Sequence, residues 1–147
     1  MYPTLNFDFT PSFKIKTMVQ KTYIFDRVRK KYIILTPEEW VRQYFLAFLM
    51  DKKNISASLI SVERGQKYNL LQKRFDIKVF DNKADLKAII ECKSPKIKLT
   101  PETLLQALTY AKTSSPAFII LTNGIQHIYY DYTSKLYLEN FPNLGSD

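Results

Sequence analysis

A hydroxyl residue, a proline and an acid stand in a row at two places in this 147-residue chain, Thr36-Pro37-Glu38 and Thr100-Pro101-Glu102. Each triplet offers a side-chain oxygen at an N-cap, a ring already at helical φ, and a negative charge beside the positive end of a helix dipole. At the first, Glu39 completes a capping box with Thr36, and Trp40, Val41, Tyr44, Phe45, Phe48 and Leu49 recur at helical spacing to about Met50. At the second, Leu104, Ala107, Leu108 and Ala111 form an apolar stripe that runs on to about Thr113. Two helices are therefore fixed, and what surrounds them reads as strand. Leu5, Phe7 and Phe9 alternate with polar residues like an edge strand, and Tyr23 to Leu35 is strand-like, with the basic run Arg27–Lys31 at a bend or exposed face. Ser58–Glu63, Arg74–Phe80, Leu86–Lys93, Ala117–Thr122 and Ile125–Tyr132 follow, the last two joined by the turn signal Asn123-Gly124. Arg64 to Gln72 reads as a polar connection. The order β, α, β, β, β, α, β, β predicts an α/β (α+β) domain over residues 21–147, with one central sheet and an N-terminal arm over 1–20.

Composition removes several functions. Only Gly65, Gly124 and Gly145 are glycines, so neither a phosphate-binding GxxxxGK[ST] loop nor a GxGxxG dinucleotide fingerprint can be written. Cys92 is the single cysteine and His127 the single histidine, which leaves carboxylates as the metal ligands and rules out an internal disulfide. The longest apolar run, Tyr44 to Met50, is too short to span a bilayer, and no secretory signal is visible, so a cytoplasmic protein without a membrane partner is expected. Twenty-two Lys and Arg against fourteen Asp and Glu give a net charge of +8. Charge alone fits a polyanion binder and a lysine-rich soluble domain equally, but seven basic residues against the single acid Asp26 between Lys14 and Lys31 favour nucleic acid. Aromatics are interleaved there (Phe13, Tyr23, Phe25, Tyr32), in positions suited to base stacking or to anchoring strands.

The chemistry concentrates between Arg74 and Lys93. With Asn82–Asp85 as a four-residue hairpin loop, Phe80 faces Lys87 and Asp76 lands opposite Glu91. Alternation then puts Asp76, Glu91 and Lys93 on one face, with Ile90 and Cys92 on the other. Two facing carboxylates repel, and a divalent cation between them reverses the sign. A lysine on the same side can orient a water or stabilise charge on a phosphoryl group. Charged residues on a strand commonly form a solvated face. Here, however, Ala88-Ile89-Ile90 runs straight into Glu91-Cys92-Lys93, a buried strand ending in charge. On the second helix Gln106 and Tyr110 share a polar face one turn apart, aimed either at this site or at solvent. Trp40 reads as a core anchor, His127 as structural, and Tyr129, Tyr130 and Tyr132 as cover for an outer strand.

Taken in order, Phe25-Asp26-x-Val28-Arg29-Lys30-Lys31-Tyr32, Leu35-Thr36-Pro37-Glu38-Glu39-Trp40-Val41-Arg42-Gln43, Lys73-Arg74-x-Asp76-Ile77, Glu91-Cys92-Lys93, Gln106-x-x-x-Tyr110 and Leu121-Thr122-Asn123-Gly124 resemble the N-terminal nuclease domain of type I restriction enzyme R subunits. That domain belongs to the PD-(D/E)xK nucleases. The resemblance implies a restriction-endonuclease-like core, a central mixed β-sheet flanked by helices. It makes Asp76 and Glu91 ligands of Mg²⁺ (or Mn²⁺), with the backbone carbonyl of Cys92 as a further ligand. Lys93 becomes the catalytic lysine and Gln106 a member of the site. A glutamate from the first helix often joins such sites; Glu39 is the better candidate than Glu38, unless it serves only as the capping partner of Thr36. Glu63 is a further candidate, with a salt bridge to Arg64 or Arg74 as its alternative.

The implied function is a Mg-dependent DNA endonuclease in which Arg29, Lys30, Lys31, Lys96, Lys98 and Tyr110 contact DNA. A non-catalytic nucleic-acid-binding or assembly module on the same fold is the alternative. Phe75 stands where the motif's proline would be, and the helicase motor that follows this domain in R subunits has no counterpart in the sequence. A homodimer, or a separate restriction-system subunit, is the partner such a domain would need for double-strand cleavage.

Overall fold

In this computed structural model residues 2–63 and 75–144 are described, so the connection read at Arg64–Gln72 and the start of the Arg74–Phe80 run lie outside the described residues. A three-stranded antiparallel sheet comes first: β1 (Ile15–Met18), β2 (Lys21–Asp26) and β3 (Lys31–Ile34). Helix α1 (Pro37–Ala47) follows and continues into a π-type turn at Phe48–Lys52, so helical geometry extends just past the expected Met50. A six-stranded mixed sheet takes the rest. Its strands are β4 (Ile60–Val62), β5 (Ile77–Phe80), β6 (Leu86–Cys92), β7 (Phe118–Thr122), β8 (His127–Asp131) and β9 (Leu136–Leu138), in spatial order. Helix α2 (Pro101–Ala111) is the crossover between β6 and β7, the parallel pair, as a connection between parallel neighbours requires. Among the described residues no helix is long and apolar enough to cross a membrane.

The central sheet is covered on both faces. On one, Val41, Tyr44 and Phe45 of α1 meet Ile77, Val79, Ala88, Ile90, Cys92 and Ile120. On the other, Leu104, Ala107 and Ala111 of α2 meet Ile89, Ile119 and Leu121. Strand β6 is buried on both sides from Ala88 to Cys92, which explains its unbroken apolar run. The expected mixed sheet flanked by helices is thus present, but the single sheet is not: the strands before α1 form a sheet of their own.

Both helices start where the sequence places them, although Glu39 does not close its half of the capping box. Thr36 Oγ1 accepts the Glu39 N–H at 3.1 Å, and Thr103 Oγ1 accepts the Thr100 N–H at 3.2 Å. The segment before β1 departs from expectation. Leu5, Phe7 and Phe9 lie in no strand; Leu5 is buried against the β7–β8 turn, where the Asn6 N–H donates to the Gly124 carbonyl at 2.7 Å. The boundary read at residues 20 and 21 falls in the β1–β2 turn, where Val19 and Gln20 both have positive φ. Trp40 is an anchor of a particular kind: its Nε1 donates to the Pro3 carbonyl at 2.8 Å, and its ring packs beside Tyr2 and Phe13, fastening the N-terminal segment to α1. Strand β9 carried no sequence signal, and it makes β8, with its tyrosines, an interior strand.

Candidate functional site

Asp76 reaches the place opposite Glu91 by a route the sequence does not show. The hairpin closes with Asp81 N–H donating to the Asp85 carbonyl at 2.9 Å, around the three-residue loop Asn82–Ala84 with Ala84 at φ 67°. Phe80 consequently faces Leu86, not Lys87. A bulge between Val79 and Phe80 takes up the extra residue, and from there Val79 faces Ala88, Lys78 faces Ile89 and Ile77 faces Ile90. One step further, at the end of the ladder, Asp76 stands across from Glu91. The pairing holds even though the loop length assumed for it does not.

The carboxylates nonetheless do not share one face as expected. Glu91 and Lys93 point under α2, where they line a small cleft of about 10 Å³ with Phe75, Thr103, Gln106 and Tyr110. Lys93 Nζ lies 3.3 Å from Glu91 Oε2. The carboxylate of Asp76 lies at the end of the strand instead. Its Oδ2 accepts the Cys92 N–H at 2.6 Å, and its Oδ1 accepts from Arg42 of α1 at 2.8 Å. A strand that ends at Ile77 leaves the Cys92 N–H without a ladder partner, and the Asp76 side chain supplies one. Because Lys93 N–H donates to Thr122 across the β7 side, the Cys92 N–H and carbonyl both point to the Asp76 side. Cys92 itself is a small buried residue, and burial together with the Asp76 charge pushes its thiol pKa up, away from nucleophilic use.

Arg42 is the residue the sequence reading passed over. Its guanidinium, 12% exposed, joins Asp76, Glu38 (2.8 Å) and Glu39. Burial opposes its charge, but Asp76 and Glu39 outweigh burial and drive its pKa above the usual arginine range. Behind it the network continues inward. Glu39 Oε2 accepts from Arg29 at 3.0 Å and from Gln43 at 2.8 Å, and Asp26 Oδ2 accepts from the same two residues at 2.8 and 2.7 Å. Asp26, Glu39 and Gln43 are all buried. Arg42 was legible only as the residue one helical turn after Glu38 and Glu39.

This network reassigns several residues. Glu39, the favoured helix ligand, is spent on Arg29, Arg42 and Gln43, and its carboxylate does not return to the Thr36 N–H. Glu38 is the helix carboxylate that faces the site: burial and then the charge of Asp76 raise its pKa, while Arg42 and Lys93 oppose the rise. Arg29, read as a DNA contact, is 11% exposed and bound to Asp26 and Glu39, so its charge is taken up inside the protein. Lys30, Lys31, Lys96 and Lys98 are exposed, and Tyr110 is half-buried beside Phe75. Gln106 is exposed at the rim of the cleft. Glu63 pairs with Asp76 through its backbone N–H at 2.9 Å; Arg64 and Arg74, its alternative partners, lie outside the described residues.

A divalent cation fits this site in kind. Asp76, Glu91 and the Cys92 carbonyl are hard oxygen donors gathered at the ends of two adjacent strands, with Glu38 across from them. Among the described residues no group of three or more Asp, Glu, His or Cys side chains is arranged to hold a metal. Mg²⁺ asks for less, because it commonly takes one or two carboxylates and completes its shell with water and substrate phosphate.

Curated proteins give no match. Among solved structures, a fragment assigned as an HsdR subunit of a type I restriction enzyme from Vibrio vulnificus YJ016 is 24% identical with a TM-score of 0.43, over 58% of this chain and 17% of that chain. The family model described as type I restriction enzyme R protein N terminus matches residues 37–144, from the first residue of α1 to beyond β9. Since that match takes in most of the sequence, the chain belongs to the type I restriction enzyme R protein N-terminal family.

Proposed function

We propose that this domain is a divalent-cation-dependent DNA endonuclease. One observation carries the reading: Glu91, Lys93, Gln106 and Tyr110 line a single cleft at the end of β6, and the Asp76 carboxylate is bonded to the backbone of the residue between Glu91 and Lys93. Asp76, Glu91 and the Cys92 carbonyl would hold Mg²⁺ or Mn²⁺, which when bound supplies Lewis-acid polarisation of the phosphoryl oxygen and a more acidic water. The protein's own part is positional and electrostatic. Lys93, held by Glu91, presents an ammonium that orients the attacking water and offsets charge developing on the phosphorus oxygens. Gln106 at the rim is placed to donate to a phosphate oxygen, with Tyr110 beside it. Arg42 fixes the Asp76 carboxylate through its hydrogen bond to Oδ1. Lys30, Lys31, Lys96 and Lys98 contribute the exposed charge along which a phosphate backbone would lie. The family suggests DNA and a restriction context, and a cytoplasmic location goes with that reading. A second copy or a separate restriction-system subunit would complete a double-strand break.

A non-catalytic nucleic-acid-binding module is the second reading. It is favoured by the commitment of both Asp76 oxygens, one to Arg42 and one to Cys92. Cleavage of plasmid and single-stranded DNA in Mg²⁺ or Mn²⁺, with Lys93→Ala run beside the wild type, separates the two. Metal-dependent cutting that disappears in Lys93→Ala is expected. DNA retardation at low salt with no cutting by either protein would establish the binding module instead.

A further inference from the structure

The outer face of the β1–β3 sheet takes no part in the site described above. Register fixes which residues share it: Lys16 faces Tyr23, Tyr23 faces Ile34, and Phe25 faces Tyr32, with Lys14 bonded alongside Phe25. Alternation therefore sets Lys14, Lys16, Lys21, Tyr23, Phe25 and Tyr32 on one side, and Ile24 and Asp26, both fully buried, on the other. The outer side carries three lysines and three aromatic rings across neighbouring strands, and no acid. Met18 and Ile34, both about half exposed, widen its apolar area.

Two of the lysines stand over two of the rings. Lys16 Nζ lies 4.0 Å from the centroid of Tyr32, and Lys14 Nζ lies 5.6 Å from that of Phe25. Tyr32 and Phe25 meet edge to face with centroids 5.2 Å apart. At one end the face opens into a cavity of about 270 Å³ lined by Ser12, Phe13, Lys14, Phe25 and Arg27. A core-anchoring role does not account for these rings, since the inner side of the same strands makes the core contacts through Ile24. A sheet face with an aromatic row and a lysine over two of its rings is the chemistry that receives an unpaired polynucleotide. Bases stack on the rings, and the lysines swing to the adjoining phosphates. A duplex offers this face phosphates only, because its bases are already stacked.

We propose that the outer face of β1–β3 binds an unpaired nucleic-acid strand by stacking on Tyr32, Phe25 and Tyr23, with Lys14, Lys16 and Lys21 on its phosphates. The proposal does not depend on cleavage, so it is tested without metal. Fluorescence anisotropy with a labelled oligothymidylate, the matching oligouridylate and a blunt duplex, in EDTA, reads it directly. Tyr32→Ala is expected to weaken oligonucleotide binding about five-fold or more, Tyr32→Trp to preserve it, and neither to alter duplex binding. Lys14→Gln with Lys16→Gln should lower the salt dependence, log K against log salt, by about 1.4 for the single strand. The oligothymidylate and oligouridylate arms separate DNA from RNA as the strand received. Amide shifts in a ¹⁵N spectrum during titration should fall on β1–β3. Equal affinity of wild type and Tyr32→Ala for the single strand would overturn the proposal. So would no single-strand binding at low salt, shifts confined to the Lys93 cleft, or a dimer that Tyr32→Ala dissociates without changing oligonucleotide affinity.

Discussion

Arg42 does most to set the electrostatics of the candidate site. It bridges the exposed Glu38, the buried Glu39 and Asp76 at the strand end, so its removal takes the cation from Asp76 and leaves Glu39 with the Arg29 cation alone. Breaking such a pair from one side costs about 3–5 kcal/mol, because the remaining charge stays desolvated. Arg42→Ala should lose that much in urea denaturation, and Arg42→Lys a part of it; a loss under about 1 kcal/mol in Arg42→Ala would contradict the network. His127 gives a second residue-scale test. Its Nε2 faces the Asn6 carbonyl at 2.7 Å, which can only accept, so Nε2 carries the proton and Nδ1 accepts from the Thr122 hydroxyl at 2.8 Å. Burial lowers its pKa from 6.5, with the Asn6 bond opposing, so the folded protein resists a second proton. The unfolded chain takes up that proton first as the pH falls. The stability contributed is therefore full above about pH 6.5 and lost as pH drops through the lower folded value. Melting temperatures between about pH 7.5 and 5.5 should fall less steeply in His127→Gln than in the wild type. Equal slopes would contradict this. The sequence shows His127 as structural, and Asp76, Glu91 and Lys93 as a set. Arg42 stayed hidden because a lone arginine on a helix looks the same whether it faces water or two carboxylates.

Local punctuation reveals the elements well and their tertiary partners poorly. Both Thr-Pro-Glu starts open helices at the residues expected, and Thr36→Ala should cost about 1 kcal/mol, since it removes the acceptor of the Glu39 N–H. Glu39 shows the limit of that reading. A capping box is a contest between the N-cap N–H and any better partner, and here Arg29, Arg42 and Gln43 take the carboxylate. The β5–β6 hairpin illustrates a different limit: its loop is one residue shorter than the sequence suggests, and the bulge at Val79 and Phe80 restores the count. The N-terminal segment alternates like a strand yet forms none. Leu5 finds its place above Gly124, whose φ is +88° and where an added Cβ would come within 2.8 Å of a Leu5 methyl. Leu5→Ala should therefore cost about 2–5 kcal/mol in denaturation, as core truncations do, whereas a loosely attached arm would lose nothing measurable.

At the scale of the molecule, α1 stands between the two sheets and contacts both. One side of it meets the central sheet and brings Glu38 and Arg42 to the ends of β5 and β6. Glu39 and Gln43 reach back to Asp26 and Arg29 at the β2–β3 turn. The basic run between Lys14 and Lys31 thereby divides: Arg29 is held in the interior, and the lysines remain exposed. Net charge alone could not separate the two groups; the ion pairs of Arg29 with Asp26 and Glu39 do. The proposed cation site of Asp76 and Glu91 has to form despite the hold of Arg42 on one Asp76 oxygen. Calorimetric titration of Mn²⁺ into the DNA-free wild type, Asp76→Asn and Glu91→Gln tests it without requiring the right DNA substrate. Saturable binding by the wild type that both variants lose, with their folding intact, is the predicted result. No binding by the wild type, or equal binding by all three proteins, would contradict it.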